Sequence, residues 1–334
     1  MTVTIFSSLT RISDLDREPF EIVRIPKDRW ATGDYVVGEI AGHSGLAYRI
    51  ELASGRMINA MPGNHVVGAF GNRAATLEGV GSWADIEGDR MSAMTSAGLF
   101  GAITSLSAMI PRTVELDYVG HALRNGEKVC MAEFAVGPRT GTFNVPTVLL
   151  VGTSMSAGKT TTGRLVVHEY ERSGKSVVGM KLTGAGRYRD ILSFRDAGAT
   201  AVYDFVDAGL PSTVVPEPVF RNAIRPLLYQ AASHEPDIAV VEAGASPLEP
   251  YNGTAAIDEL GDNLFCTILC ASDPYAVVGV EKAYGLKPDL VSGPAASTSA
   301  AIDLVKKISG VDAINVLEPG CLPLLREVLR RTQK

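Results

Sequence analysis

Cysteine is scarce in this sequence. The 334 residues include four cysteines, and no two of them form the C-x-x-C pair found in many zinc and thiol-redox sites. Cys266 and Cys270 lie in the apolar run 264–270, which is typical of a buried strand, where free cysteine packs as a small apolar side chain. We therefore predict buried free thiols rather than disulfides or a zinc site, which suits a reducing cytoplasm.

Positive charge is not in excess either. The formal net charge is −6, so the chain has no global basic field to hold a nucleic-acid backbone. Residues 1–6 lack the basic and long apolar segments of a secretory signal, which favours a cytoplasmic protein. The segment 92–110 carries no charge, but it is rich in small residues that transfer poorly into lipid. We predict one or two closely packed helices there, and neither a membrane nor a nucleic-acid partner.

Two regions with different hydrophobic periods follow one another. Residues 1–140 contain short runs of β-branched and aromatic residues separated by glycine-containing turns, which predicts a smaller β-rich, barrel-like domain with the helical insert at 92–110. The segment 137–146 is rich in Gly and Pro and is predicted to be a linker to a second domain over 147–334. The candidate strands of the first domain are 35–40, 46–52, 65–70 and 128–134.

Apolar strands alternate with longer helical stretches after residue 147. Strands that are apolar on both faces predict an α/β domain with a mainly parallel sheet flanked by helices. The candidate strands are 147–151, 176–180, 201–206, 238–241, 264–269 and 313–316, and the candidate helices are 159–173, 219–233, 297–309 and 323–331.

The segment 147–162 carries the strongest functional signal. An apolar strand runs into a loop of small residues, and Gly158-Lys159-Thr160 then opens a helix, which is the context that a phosphate-binding P-loop requires. Backbone N–H groups of such a loop form an anion-binding nest at the positive end of the helix dipole. One departure stands out: the first glycine of G-x-x-x-x-G-K-[ST] falls on Thr153, and Gly152 lies one residue early.

We predict nucleotide binding by Thr153, Ser154, Met155, Ser156, Ala157, Gly158, Lys159, Thr160 and Thr161. In this interpretation the Lys159 ammonium group contacts the β- and γ-phosphates, and the Thr160 hydroxyl coordinates Mg²⁺. No Asn-Lys-x-Asp guanine signature occurs in the chain, so we expect ATP with Mg²⁺ rather than GTP.

Gly152-Thr153-Ser154 and Ala157-Gly158-Lys159-Thr160 resemble the loop of the dethiobiotin synthetase and cobyrinic acid a,c-diamide synthase superfamily, which includes uncharacterised bacterial members. The segment 179–184 is similar to the lysine-containing end of that superfamily's second strand, and 237–245 looks like its Val-Glu-Gly-Ala-Gly segment. The resemblance covers about 147–320 and leaves the first 140 residues without a counterpart. It implies a P-loop NTPase fold, a homodimer and an ATP-dependent synthetase.

Three further residues are site candidates. Lys181 and Glu242 fall at the carboxyl ends of predicted strands, where ligands bind in open α/β sheets. Glu242 is predicted to bind Mg²⁺, directly or through water, or to orient a nucleophile, with a solvated loop carboxylate as the alternative. By resemblance, Lys181 neutralises a substrate carboxylate or the transferred phosphoryl group, the alternative being a surface lysine. A further acidic metal ligand is implied by resemblance, for which Asp190 is preferred over Asp196.

Four functions compete on this sequence. The first is a ligase in which Lys159, Lys181 and Glu242 are the catalytic residues, and a small carboxylate or carbamate is activated by phosphoryl transfer and captured by a nitrogen nucleophile. The second is a small-molecule kinase. The third is a nucleotide-dependent switch or metallochaperone, and the fourth is an acyltransferase on a repurposed nucleotide-binding fold.

Overall fold

A computed structural model of the chain describes residues 3–41, 49–59, 61–111 and 113–331. The chain divides into two compact units. The first, which we call the β unit, comprises Met1–Pro138, Ala185–Arg189 and Phe205–Ala223; the second, the α/β unit, comprises Arg139–Gly184, Asp190–Asp204 and Ile224–Lys334. None of the helices in the described ranges is long and apolar enough to cross a lipid bilayer.

The β unit is built from short strands, most of them antiparallel. In chain order they are β1 (Thr4–Phe6), β2 (Glu21–Val23), β3 (Tyr35–Ile40), β4 (Arg49–Glu51), β5 (Met57–Asn59), β6 (His65–Phe70), β7 (Asn72–Ala75), β8 (Gly79–Ser82), β9 (Arg90–Ala93), β10 (Leu99–Leu106), β11 (Val114–Arg124) and β12 (Glu127–Lys128).

Five of the described strands pair in a closed ring. β3 lies between β6 and β11, β9 lies between β11 and β10, and β10 returns to pair in parallel with β6. A ring of this kind has no free edge within it and encloses one apolar core. Trp30, Phe70, Phe100 and Tyr118 belong to that core. The predicted barrel-like character of the N-terminal domain is therefore confirmed.

The helical insert predicted at 92–110 is wrong, because this segment contributes to β9 and forms β10. Its small residues do allow close packing, but between strands. A Cβ added at Gly101 would lie 2.7 Å from the backbone carbon of Ser82 in the neighbouring β8, and Gly98 turns the chain with φ of +88°. Glycine at these positions permits strand approach, which composition alone does not distinguish from helix packing.

Two other predictions for the β unit change in detail. The strand predicted at 128–134 is wrong after Lys128, since Met131–Phe134 forms a 3₁₀ turn. Of the strand predicted at 46–52, residues 46–48 lie outside the described residues, and β4 occupies Arg49–Glu51.

Six of the described strands form the parallel sheet of the α/β unit. They are β13 (Thr147–Gly152), β14 (Val177–Thr183), β15 (Ala201–Asp204), β16 (Ile238–Ala243), β17 (Leu264–Cys270) and β18 (Leu290–Ser292). Their order is β15-β14-β16-β13-β17-β18. All residues of β13, β14 and β16 are buried, as expected for strands covered on both faces. The predicted α/β class, with a P-loop NTPase-like sheet, is confirmed.

The helices of this sheet are α1 (Lys159–Arg172), α2 (Tyr188–Asp196), α3 (Glu217–Ala232), α4 (Gly253–Leu260), α5 (Pro274–Tyr284), α6 (Ser299–Ser309) and α7 (Leu322–Arg331). The four predicted helices correspond to α1, α3, α6 and α7. The sixth strand predicted at 313–316 is wrong: Ala313 makes only a single parallel bridge to Val291, and Asn315 turns to bond the carbonyl oxygen of Ser297. The sixth position belongs to the three-residue β18, which is too short to show a period in the sequence.

Candidate functional site

The loop between β13 and α1 has the backbone of an anion-binding turn. Gly158 caps α1 in the left-handed region with φ of 95°, and Ser156 is also left-handed with φ of 62°. The first N–H groups of α1 have no acceptor within the helix, so they are available to an anion at its positive end. The predicted binding residues Thr153 to Thr161 all lie on this loop and the first turn of α1.

Gly152, one residue before the usual position of the first P-loop glycine, lies where the Lys159 side chain folds back. A Cβ at this position would lie 2.5 Å from the Lys159 Nζ atom and 3.0 Å from the Ser154 carbonyl oxygen. A side chain at the end of the strand would therefore crowd the Lys159 side chain, which folds back across this position, and Thr153 takes the following position. Thr153 anchors the loop to the chain after β17, since its Oγ1 accepts the N–H of Ser272 at 3.0 Å.

The Lys159 side chain is enclosed by the loop that precedes α1. It is buried, and its Nζ donates to the carbonyl oxygen of Ser154 at 2.7 Å. Burial lowers the pKa of this ammonium group, and the nearby Glu242 carboxylate opposes that effect. An ammonium group held at this point is placed to neutralise phosphate charge in a low-dielectric setting, where the interaction is stronger than in water.

A second glycine, Gly293, supports the loop from the chain after β18. Its φ is +85°, and an added Cβ would lie 2.3 Å from the Ala157 carbonyl oxygen. Its Cα in turn lies 3.3 Å from where a Cβ on Gly158 would be. The two backbones are thus in direct contact, and any side chain at 293 would displace the loop. Sequence reasoning missed this contact; the signal for it was the conformationally free glycine after the strand end.

Four polar side chains converge beside the loop. The Thr160 hydroxyl donates to Glu242 Oε2 at 2.8 Å. Glu242 Oε1 lies 3.7 Å from Lys181 Nζ, which donates to Asp190 Oδ2 at 2.6 Å. A continuous chain of contacts therefore joins the first turn of α1 to the carboxyl ends of β16 and β14 and to α2.

Strand register brings this cluster together. Glu242 pairs with Leu150 of β13 on one side and with Lys181 of β14 on the other. Glu242 therefore lies on the strand next to β13, which leads into the loop, and Lys181 lies one strand further away. Parallel strands present their carboxyl ends at one edge, and this is where ligands of open α/β sheets bind. The sequence-predicted residues Thr160, Lys181 and Glu242 are brought into contact as that rule requires.

Carboxylates determine the protonation of Lys181. Burial acts to lower the pKa of its ammonium group, but the Asp190 and Glu242 carboxylates outweigh burial and hold the pKa above its ordinary value. Lys181 is therefore a fixed positive charge at neutral pH. Such a group stabilises negative charge in a ligand but cannot act as a proton acceptor near pH 7.

The two aspartate candidates separate in the structure. Asp190 lies in the first turn of α2 and contacts Lys181, whereas Asp196 is exposed at the last residue of that helix. Six residues of helix correspond to a rise of roughly 9 Å. Of the two aspartates, Asp190 is the one that belongs to the cluster.

The atoms of the cluster that could bind a metal ion are oxygens. They belong to the Thr160 hydroxyl and to the Glu242 and Asp190 carboxylates. These are the ligand types that Mg²⁺ prefers, and Mg²⁺ usually binds through one or two carboxylates together with nucleotide phosphates. Within the described ranges no group of three or more His, Cys, Asp or Glu side chains is arranged to hold a metal by itself. The residues present fit a magnesium ion that arrives with a polyphosphate.

A layer of small polar side chains lies beneath the helix start. The Thr162 Oγ1 atom lies 3.1 Å from Ser292 Oγ and accepts from Cys270 Sγ at 3.5 Å. Burial raises the pKa of the Cys270 thiol to about 11, so this cysteine is protonated and unreactive at neutral pH. The predicted burial of Cys266 and Cys270 in a strand is confirmed.

No family model matches this chain, and no curated protein sequence matches it. Solved structures resemble it at low identity. Three of them are chloroplast FtsY from Physcomitrella patens (12% identity, TM-score 0.35, covering 54% of this chain and 60% of that one), a duf1611 family protein from Anabaena variabilis (18%, 0.35, 57% and 58%), and HypB from Helicobacter pylori in complex with nickel (13%, 0.32, 57% and 88%). The chain therefore spans about three fifths of the first two proteins. Scores and identities this low transfer no activity to it.

Proposed function

We propose that the α/β unit binds a magnesium nucleoside triphosphate, ATP in preference to GTP, and uses it to activate a small carboxylate or carbamate for ligation to nitrogen. The observation that carries the proposal is the chain of contacts from Thr160 through Glu242 to Lys181 and Asp190, directly beside a P-loop. It brings one lysine and two carboxylates together beside Lys159 of the loop, at the edge of the sheet where ligands of open α/β sheets bind.

Each residue has a separate role in this proposal. The backbone of 153–158 and the Lys159 ammonium group hold the phosphate chain. Thr160 and Glu242 would hold Mg²⁺, with Asp190 beside them, and the ion supplies charge neutralisation on the β- and γ-phosphates. Lys181, held positive by its carboxylate neighbours, attracts the carboxylate of the substrate and keeps it near the loop.

The proposed reaction uses positioning rather than a covalent enzyme intermediate. A substrate carboxylate oxygen bonds to the γ-phosphorus as the bond from that phosphorus to the β,γ-bridging oxygen breaks, and ADP leaves. A neutral nitrogen nucleophile then attacks the acyl carbon, inorganic phosphate leaves, and the proton lost by the nitrogen passes to that phosphate or to solvent. Lys159 and Lys181 stabilise the charge of the transferred group, and holding both reactants in line accounts for most of the rate enhancement in such transfers. The resemblance of the loop and of 237–245 to the synthetases is a further support.

Product analysis distinguishes this function from its alternatives. Purified protein is incubated with Mg²⁺–ATP and a panel of small carboxylates, with and without ammonia or an amine, and ADP, phosphate and organic products are separated. A ligase forms amide and releases ADP and phosphate only when carboxylate and nitrogen donor are both present. ADP with a phosphorylated product and no amine requirement indicates a kinase. ADP release without any substrate indicates a switch, and an acylated product without ADP indicates an acyltransferase; either result contradicts the proposal.

Lys159→Ala is the essential variant in that assay. It removes the ammonium group from the loop, so ADP release should fall to background. Lys287→Ala is the matched control, because Lys287 is an exposed lysine of the same unit and its replacement should leave turnover unchanged.

The homodimer predicted from the resemblance stays a prediction, which sedimentation analysis at micromolar protein concentration can check.

A further inference from the structure

A cavity in the β unit carries charge and polar groups that the proposed function does not use. Its volume is about 190 Å³, and its wall is formed by β4, β7, the turn between β9 and β10, the chain before β11, and Arg187. Pockets for drug-sized ligands are larger, at roughly 300–1,000 Å³, so this cavity suits a small metabolite. All of the residues in its wall belong to the same unit.

Positive charge is in excess in the wall. Among the described residues of the wall, three arginines, Arg49, Arg73 and Arg187, face one glutamate, Glu78, which leaves an excess of two positive charges. Arg73 is paired with Glu78 and also donates to the carbonyl oxygen of Met94. Arg49 and Arg187 form no ion pair with any carboxylate in the described ranges. Their guanidinium groups therefore bring uncompensated charge to the cavity.

Buried polar atoms in the same wall also lack a partner. Thr95 is 8% exposed and Arg73 is 6% exposed, yet the Thr95 Oγ1 and Arg73 Nε atoms make no hydrogen bond to any described residue. Buried polar groups in native proteins are nearly always hydrogen-bonded, so two unsatisfied groups on residues that line one cavity call for an explanation. A ligand with acceptor oxygen atoms would satisfy both N–H and O–H donors.

The fold holds this wall in place. Glu51, two residues after Arg49 on β4, is fully buried and accepts the backbone N–H groups of Tyr188 at 2.8 Å and Arg189 at 3.1 Å. These bonds fix the backbone that carries Arg187. The Glu51 N–H in turn donates to the carbonyl oxygen of Ser96, which follows Thr95. Glu51 thus connects β4, which carries Arg49, to the segment that carries Arg187 and to the turn that carries Thr95.

We propose that this cavity is a binding site for a small organic anion. Its carboxylate or phosphate head group is held by Arg49, Arg187 and the Thr95 hydroxyl, and a short apolar body lies against Met94 and Ile110. Guanidinium groups match the planar or tetrahedral array of oxygen atoms in such a head group, often with two parallel hydrogen bonds. None of the described residues in its wall belongs to the P-loop cluster, so this proposal does not rest on the proposed nucleotide binding.

Isothermal titration calorimetry of the nucleotide-free, full-length protein tests the proposal. The probes are succinate and inorganic phosphate, with neutral succinamide as a control for the apolar body. At least one anion should bind and succinamide should not, and the tighter of the two anions identifies the head group. The P-loop also attracts phosphate, so the titrations are repeated with Lys159→Ala. Binding to the cavity should persist in this variant, because Lys159 is not part of the cavity wall. Absence of binding by both anions would overturn the proposal.

Cavity variants locate the binding. The double variant Arg49→Gln, Arg187→Gln should weaken the probe by about 100-fold, as expected for loss of charge-assisted hydrogen bonds. Thr95→Val keeps the side-chain shape and should weaken it by about 10-fold. Arg29→Gln, at an exposed arginine of the same unit, should have no effect. If the double variant does not fold, Thr95→Val carries the test. If Thr95→Val binds the anion as tightly as the wild type, the Thr95 hydroxyl does not contact the head group. That result would refute the proposed site.

Discussion

Replacing Gly293 by alanine tests the contact that supports the P-loop. Gly293 has φ of +85°, a left-handed conformation that costs an alanine about 1–2 kcal/mol. The new Cβ would also lie 2.3 Å from the Ala157 carbonyl oxygen, whereas ordinary contact begins at 3.4 Å, so the loop must retreat by the difference of 1.1 Å. Displacement of catalytic or binding groups by about 1 Å is enough to reduce rates by roughly 100-fold.

Gly310→Ala is the matched control. Gly310 is left-handed as well, with φ of +71°, and lies at the end of α6 in the same unit, but an added Cβ meets nothing within 4 Å. Both variants should therefore lose about 1–2 kcal/mol of stability from the backbone term, measured by urea unfolding. Only Gly293→Ala should also lose Mg²⁺–ATP affinity, by about 10-fold to 100-fold in calorimetric titration. Equal nucleotide affinities in the two variants would refute the supporting role of Gly293.

Three other predictions concern the cluster and the layer beneath it. Glu242→Gln should lower turnover by about 100-fold while nucleotide affinity changes far less, and unchanged turnover in the ADP-release assay would remove Glu242 from the site. Asp190→Asn removes one of the carboxylates that raise the pKa of Lys181. Because a raised lysine pKa contributes stability that is fully present below the unfolded value of about 10.4 and lost as pH rises through the folded value, the variant should have a lower melting temperature than the wild type at pH 8, and that temperature should fall less steeply as the pH rises above about 10. Superimposable profiles between pH 8 and 11 would contradict this account of the charge. Finally, the Cys270 pKa of about 11 predicts that iodoacetamide at pH 8.5 spares this thiol in the native protein and modifies it in denaturant, as peptide mass analysis would show; rapid native labelling would oppose it.

Much of the α/β unit could be predicted because its signals are local. Five strands of the parallel sheet are continuous apolar segments, the helix that begins at Lys159 directly follows a motif, and that motif forms the loop between β13 and α1. The convergence of Lys181 and Glu242 followed from a general rule on parallel strand ends. The preference for Asp190 over Asp196 rested on its place near a glycine-rich turn, and Asp190 is the residue that contacts Lys181.

The remaining features depend on contacts between distant segments. The small residues of 92–110 indicated close packing, but whether helices or strands pack closely is decided by neighbours such as Ser82 and Met94. The contact of Gly293 with the P-loop joins positions more than a hundred residues apart. The cavity of the β unit gathers Arg49, Thr95 and Arg187 from three separate segments, none of which carries a motif.

The most direct test of the central claim is calorimetric titration of the wild-type protein with Mg²⁺–ATP and Mg²⁺–GTP, beside Lys159→Ala and Lys287→Ala. We expect saturable binding of ATP, weaker binding of GTP, no nucleotide binding in Lys159→Ala, and wild-type affinity in Lys287→Ala. A wild-type protein that binds neither triphosphate, or a Lys159→Ala variant that binds as tightly as the wild type, would contradict the assignment of 153–161 as a nucleotide site.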